Sequence, residues 1–164
     1  MRFIYSLLHY LIVPVLLVRL LIRGLKNAGY WRRWGERFGH VTQIPAAQQV
    51  IWIHAVSVGE VQAALPIVDA IKERLAGAKI LLTTTTPTGS NRVVQAFGKG
   101  VYHCYLPYDL PGSVSRFLDR THPSLAVIME TELWPNLFFQ CRQRNIAVLL
   151  ANVRLSKRSA AGYG

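Results

Sequence analysis

Hydrophobic and polar positions divide the chain into an apolar amino-terminal run and a longer region of short alternating blocks. The first run, Phe3 to Val18, lies between Arg2 and Arg19, is interrupted by His9 and Pro14, and reaches Ile22 if Arg19 snorkels. That is close to the roughly 20 residues a spanning helix needs, so the pattern fits either a spanning or an interfacial helix. A weakly basic start, with no small-residue cleavage site before Arg19, makes it a poor cleaved signal peptide. Residues 1–25 are expected to form a membrane anchor, and residues 26–164 a separate folded region.

In that second region, apolar, β-branched runs alternate with helical spacings. Val50–Val56 predicts a strand. Ser57-Val58-Gly59-Glu60 breaks it, and Val61, Ala64, Leu65, Val68, Ile71 and Leu75 then follow at helical spacing. Further strands are expected at Lys79–Thr83, Val101–Leu106, Leu125–Met129 and Ile146–Leu150. Helices are expected at Thr88–Phe97, from about Pro111 to Arg120, and at Leu133–Arg144. Strands alternating with helices imply an α/β fold with a parallel sheet and right-handed crossovers. Pro66 falls inside the first of these helices and should kink it. Residues 156–164 read as a helix just beginning, which suggests a chain continued by further elements.

With 164 residues and 51% hydrophobic content, the chain can bury one real core. The net charge of +11 is unevenly spread: Arg19, Arg23, Lys26, Arg32, Arg33 and Arg37 crowd behind the apolar run. That asymmetry predicts a cytoplasmic face and an anionic membrane partner, not nucleic acid. Tyr30 to Gly39 alternates aromatics with arginines, as in a headgroup belt or a juxtamembrane helix packed on the domain. Cys104 and Cys141, isolated in or beside apolar runs, read as reduced packing residues, and His54 as a core residue of its strand.

Each predicted strand ends in a polar segment: Ser57–Glu60, Thr83–Ser90, Tyr108–Asp109, Glu130–Glu132 and Asn152–Ser156. In a parallel sheet these share one edge, where α/β folds place ligands. Ser57 and Glu60 fit a capping box, the role the spacing alone favours, and Glu60 could also be a general base open to an incoming hydroxyl. Thr86 or Thr88 could cap a helix or help its N–H groups hold a phosphate. No dinucleotide fingerprint, P-loop, serine-hydrolase elbow or zinc-ligand spacing is present.

Taken together, Tyr30-Trp31-Arg32-Arg33-Trp34-Gly35-Glu36-Arg37-Phe38-Gly39, Ser57-Val58-Gly59-Glu60, Thr86-Pro87-Thr88-Gly89-Ser90, Leu106-Pro107-Tyr108-Asp109 and Met129-Glu130-Thr131-Glu132-Leu133-Trp134-Pro135-Asn136 stand in the order of one family. The chain resembles the N-terminal half of 3-deoxy-D-manno-octulosonic acid (Kdo) transferases. The resemblance implies a Rossmann-like N-terminal domain of a GT-B glycosyltransferase, preceded by an anchor helix on the cytoplasmic face of the inner membrane. It implies Kdo transfer from CMP-Kdo to the 6′-hydroxyl of the lipid A precursor, inverting and free of metal or other cofactor. Glu60 matches the family's general base and Glu130 a residue supporting the transition state. Ser57, Gly59, Thr86, Thr88, Gly89, Ser90, Arg33 and Arg37 would bind the acceptor, while CMP-Kdo would bind a C-terminal domain beyond Gly164. Two rival readings keep the fold but change the role: a non-enzymatic module binding anionic lipid, and a domain that itself binds the nucleotide sugar.

Overall fold

The computed structural model describes residues 2–46, 48–130 and 134–152. Five parallel strands, β1 (Val50–His54), β2 (Lys79–Thr84), β3 (Tyr102–Tyr105), β4 (Pro123–Met129) and β5 (Ala147–Ala151), form one sheet in the order β3-β2-β1-β4-β5. This is a Rossmann-like α/β arrangement, as the alternating pattern predicts. α1 spans Arg2–Lys26, and α2 (Val58–Arg74), α3 (Pro87–Phe97), α4 (Pro111–Thr121) and α5 (Pro135–Gln143) follow β1 to β4 in turn. The expected polar loop at 131–132, the start of the last helix at 133 and the incipient helix at 156–164 lie outside the described residues.

Burial on both faces explains why β1 reads as a continuous apolar run. All five of its residues are buried, and their side chains alternate between two cores. On one side Val50 and Trp52 pack with Val114, Phe117, Leu137 and Cys141 of α4 and α5. On the other, Ile53 packs with Val61, Ala64 and Val68 of α2 and Val93 of α3. Trp52 meets Phe117 edge-on at 5.0 Å and donates Nε1 to Thr83 Oγ1 at 2.8 Å, so its polar end is satisfied inside the core. His54 is fully buried, with Nδ1 2.9 Å from the same hydroxyl, as expected for a core histidine.

Three local features add to the pattern. α2 runs through Pro66 as one element. The proline lacks an N–H for the Gln62 carbonyl, and the helix face that packs on the sheet continues past it at Val68. The aromatic–arginine stretch forms two short 3-10 turns, Ala28–Trp31 and Trp34–Phe38, instead of a juxtamembrane helix. Arg33 between them is left-handed at φ 60° and Gly39 after them at φ 82°. A Cβ on Gly39 would stand 2.2 Å from Ser113 O, so only glycine lets this corner close onto α4. Finally, β5 forms as expected and, as the outer strand of the sheet, exposes Val148 (39%), Leu149 (54%) and Leu150 (39%).

Candidate functional site at the carboxyl edge of the sheet

Parallel strands bring every strand-to-helix turn to one edge. In the order β3-β2-β1-β4-β5, β1 and β4 are neighbours whose crossovers leave in opposite directions, so their ends form the switch point where such sheets bind ligands. Glu60 follows β1 and Glu130 follows β4. The two candidate acidic residues therefore stand on adjacent strands of that crevice.

Glu60 is turned toward the start of its own helix. Ser57 is the N-cap of α2: its Oγ accepts from Glu60 N at 3.3 Å and donates to Glu60 Oε1 at 2.8 Å. Val56 N donates to Glu60 Oε2 at 2.8 Å. Ser57 thus makes the forward half of a capping box, while the return bond from the Glu60 carboxylate goes to the N–H of Val56, one residue before the N-cap, and to the Ser57 hydroxyl; Glu60 is left 8% exposed. Each carboxylate oxygen accepts one bond where the pair has about four lone-pair sites, so the group is oriented but not saturated. Ser57 and Gly59 are exposed beside it. A Cβ on Gly59 would meet nothing nearer than Ser57 Oγ at 3.8 Å. Glu130 is half-buried and left-handed at φ 62°, with its N–H donated to Ala151 O at 2.8 Å. A non-glycine residue held in that conformation at a site edge is a strained position.

The threonine-rich turn after β2 is also capped. Thr86 is the N-cap of α3 and accepts from Gly89 N at 3.1 Å, and its hydroxyl lies 3.2 Å from that of exposed Thr88. Gly89 is buried in a close fit, its Cβ position 3.4 Å from Val56 O of the first turn. Thr85 Oγ1 reaches the same carbonyl at 3.4 Å, which joins the turns after β1 and β2.

The two candidate arginines have different surroundings. Arg33 is committed to the protein: it pairs with Glu36 at 2.8 Å, donates to Ser90 Oγ at 3.0 Å and to His103 O at 3.2 Å, and covers the Tyr105 ring at 4.6 Å. Buried Ser90 is thereby tied to Arg33. Burial, and then the Arg33 charge, push the His103 imidazole down to about 4. Arg37 is 4% exposed, lies over the same aromatic ring at 4.4 Å and donates Nη2 to Thr85 O at 3.1 Å. Burial lowers its pKa, opposed by Tyr108, Tyr105, Tyr30 and Glu36.

α1 closes this edge from above. Its buried positions Ser6, Leu20 and Gly24 face the domain, while Phe3, Leu7, Leu11, Val15, Val18 and Leu25 point outward. Ser6 Oγ donates to Asn136 Oδ1 at 3.1 Å, and Trp31 Nε1 donates to Leu21 O at 3.1 Å while its ring lies over Gly24. Asp109 orders the far wall by accepting from Asn136 N at 3.0 Å and Leu137 N at 2.8 Å. Between α1 and the strand ends is a cavity of about 360 Å³, walled by the turns after β1, β2 and β3, by Trp134, and by Arg19, Arg23 and Arg37. Periodicity could not assign Arg19 and Arg23 to a site, because they read as flanks of an anchor. Only the fold of α1 onto the domain brings them, still exposed, to the wall of the cavity.

A family model described as 3-deoxy-D-manno-octulosonic-acid transferase (kdotransferase) matches residues 32–164. The chain is 45% identical over 164 residues to the 3-deoxy-D-manno-octulosonic acid transferase of Haemophilus influenzae, covering 99% of this chain and 38% of that protein. It is 36% identical over 156 residues to the probable mitochondrial 3-deoxy-D-manno-octulosonic acid transferase of Arabidopsis thaliana, covering 95% and 35%. The Bordetella pertussis protein of the same name matches at 36% over 171 residues, covering 99% and 40%. The chain thus spans about two fifths of the length of these curated relatives. Rossmann-like sheet, apolar first helix and sequence likeness agree: the chain belongs to the 3-deoxy-D-manno-octulosonic acid transferase family.

Proposed function

We propose that this chain is the acceptor-binding half of a GT-B enzyme that transfers Kdo from CMP-Kdo to the 6′-hydroxyl of the lipid A precursor. Glu60 is the general base. It takes the proton of the acceptor hydroxyl as that oxygen attacks the anomeric carbon, the configuration inverts and CMP departs. Glu130, on the neighbouring strand end, supports the transition state. Ser57 and Gly59, together with Thr86, Thr88, Gly89, Ser90, Arg33 and Arg37, form or shape the acceptor surface. The donor is held by the remainder of the enzyme.

The observation that carries this reading is the placement of Glu60 at the β1–β4 switch point beside the arginine-walled cavity. Val56 both lines that cavity and donates its N–H to the Glu60 carboxylate. A base must be held in a fixed direction within reach of the proton it removes, and two short hydrogen bonds hold this one.

α1 serves here as an interfacial anchor. By length and composition it could cross a membrane, but it touches the domain from Ser6 to Gly24, about 27 Å of helix. Docked through Ser6, Leu20 and Gly24, the helix keeps most of its surface exposed, with only 6% of its apolar stretch buried. Its outward apolar face is suited to lie in the membrane plane, on the cytoplasmic side that the following basic residues favour.

The bonds that tie Glu60 to Ser57 and Val56 at the start of α2 favour a second reading, in which Glu60 only stabilises that helix within a lipid-binding module. Glu60→Gln in the full-length enzyme separates the two. The catalytic reading expects Kdo transfer to fall about 10²- to 10⁴-fold with the fold retained. Undiminished transfer, with only about 0.5–2 kcal/mol of stability lost, would leave the cap alone. The same assay in EDTA tests the metal-free step, which should proceed unchanged.

A further inference from the structure

We infer that Glu36 is a positioning residue: its carboxylate seats the turn Trp34–Phe38 on the end of β3 and so fixes where the Arg37 guanidinium stands. The inference rests on the reading above in which Arg37 helps form the acceptor surface. Tyr105 closes β3, an outer strand of the sheet. The N–H groups of an outer strand face the neighbouring strand and the open edge in turn. Leu106 N already donates to Thr84 O of β2 at 2.9 Å, so the Tyr105 N–H points to the open edge, where Glu36 Oε2 accepts it at 2.8 Å. Glu36 Oε1 accepts from Arg33 Nε at 2.8 Å, and the carboxylate side chain is 19% exposed. One acid thus joins the residue that precedes its turn to the strand edge, with both oxygens engaged.

Arg37 needs a hold from outside its own side chain. Nη2 donates to Thr85 O at 3.1 Å, but the buried Nε has no hydrogen-bond partner among the described residues. The turn that carries it runs between left-handed Arg33 (φ 60°) and Gly39 (φ 82°), and no side chain caps its start. Two bonds tie that turn to the chain leaving β3. One is the Glu36 carboxylate on Tyr105 N, and the other is Arg37 O, which accepts from Tyr108 N at 2.8 Å. Tyr105 is the common seat: its amide holds Glu36, while its ring lies under Arg33 at 4.6 Å and Arg37 at 4.4 Å. Hydrogen bonds to an ionised carboxylate are the strong kind. Without this one, Arg37 keeps its carbonyl bond but loses the fixed distance between its turn and the ring. A shift of about 1 Å in a positioning group can cost on the order of 10²-fold.

The test is steady-state kinetics of the full-length enzyme, with the lipid A precursor varied at saturating CMP-Kdo. Glu36→Ala should raise the acceptor KM about 10- to 100-fold, while kcat and the donor KM stay within about twofold of the parent. Glu36→Gln keeps the reach but turns an amide NH2 against one of the two donors, so it should raise the acceptor KM less. Because Glu36 acts through Arg37, the double variant Glu36→Ala/Arg37→Gln should show the acceptor KM of Arg37→Gln alone. An acid with a structural role only would lower the thermal midpoint at unchanged KM, or its effect would multiply with that of Arg37→Gln. Either result overturns the positioning role. Should a variant fail to fold, Glu36→Gln and Arg37→Lys take the places of Glu36→Ala and Arg37→Gln in the cycle. A raised KM in the Arg37 variant beside an unchanged one in the Glu36 variants overturns this inference alone. The parent KM in the Arg37 variant overturns the acceptor role of Arg37, and this inference with it.

Discussion

The Ser57 hydroxyl donates to Glu60 Oε1 at 2.8 Å while accepting from the Glu60 amide at 3.3 Å. One side chain therefore caps α2 and aims the carboxylate of its partner. Structure and proposed chemistry depend on the same pair of bonds.

Ser57→Ala should separate the two contributions. Losing the cap is expected to cost about 0.5–2 kcal/mol, read as a lower thermal midpoint. In the full-length enzyme kcat should fall, but by less than in Glu60→Gln, because the carboxylate is retained and Val56 N still holds Oε2. A kcat equal to that of the parent enzyme would deny Ser57 a positioning role.

Gly39→Ala is predicted to be among the more damaging single-methyl additions. The left-handed backbone alone costs about 1–3 kcal/mol for a residue with a Cβ, and the new carbon would stand 2.2 Å from Ser113 O. Urea unfolding should show a clearly lowered midpoint. The contrasting change is Gly59→Ala, where the nearest atom is at 3.8 Å and stability should hardly move.

His103 gives the fold an acid-sensitive element. Its pKa is depressed in the fold to about 4, first by burial and then by Arg33, from an ordinary 6.5. The unfolded chain therefore binds more protons between those values. Stability is full above about pH 6.5 and is lost as pH falls toward 4, with a slope from this group of at most about 1.4 kcal/mol per pH unit. His103→Gln should flatten that part of the curve. An unchanged slope would show that other groups produce it.

Cys104 and Cys141 should resist thiol reagents in the native protein and react once it is unfolded in urea. Both are buried. Burial raises both thiols, Cys141 to about 11 against a lowering by Arg144, so little thiolate forms near neutrality. Rapid native labelling of Cys141 would show that α5 opens readily.

The parallel sheet was legible because each strand is a short apolar run followed by a polar turn, and parallel strands place all such turns together. Glu60, Thr86 and Thr88 were therefore located by topology before any contact was known. Their immediate partners were not. The local spacing of Ser57 and Glu60 favours a cap without excluding a base, and the fold shows both carboxylate oxygens engaged at the helix start. Arg33 and Arg37 read as two members of one basic belt. Their four-residue separation across 3-10 turns instead sets them about the ring of Tyr105, one held by Glu36 and the other left with a free donor. That distinction depends on long-range neighbours, which no local pattern encodes. The same holds for Arg19 and Arg23, whose environment is set by the way α1 folds back.

β5 carries a consequence for handling the isolated chain. Among the described residues nothing hydrogen-bonds to its outer edge, and it presents Leu149 half-bare beside Val148 and Leu150. An open, apolar edge strand of this kind templates further strands. Concentrated preparations should self-associate through it, and a charged replacement at Leu149 should keep them dispersed.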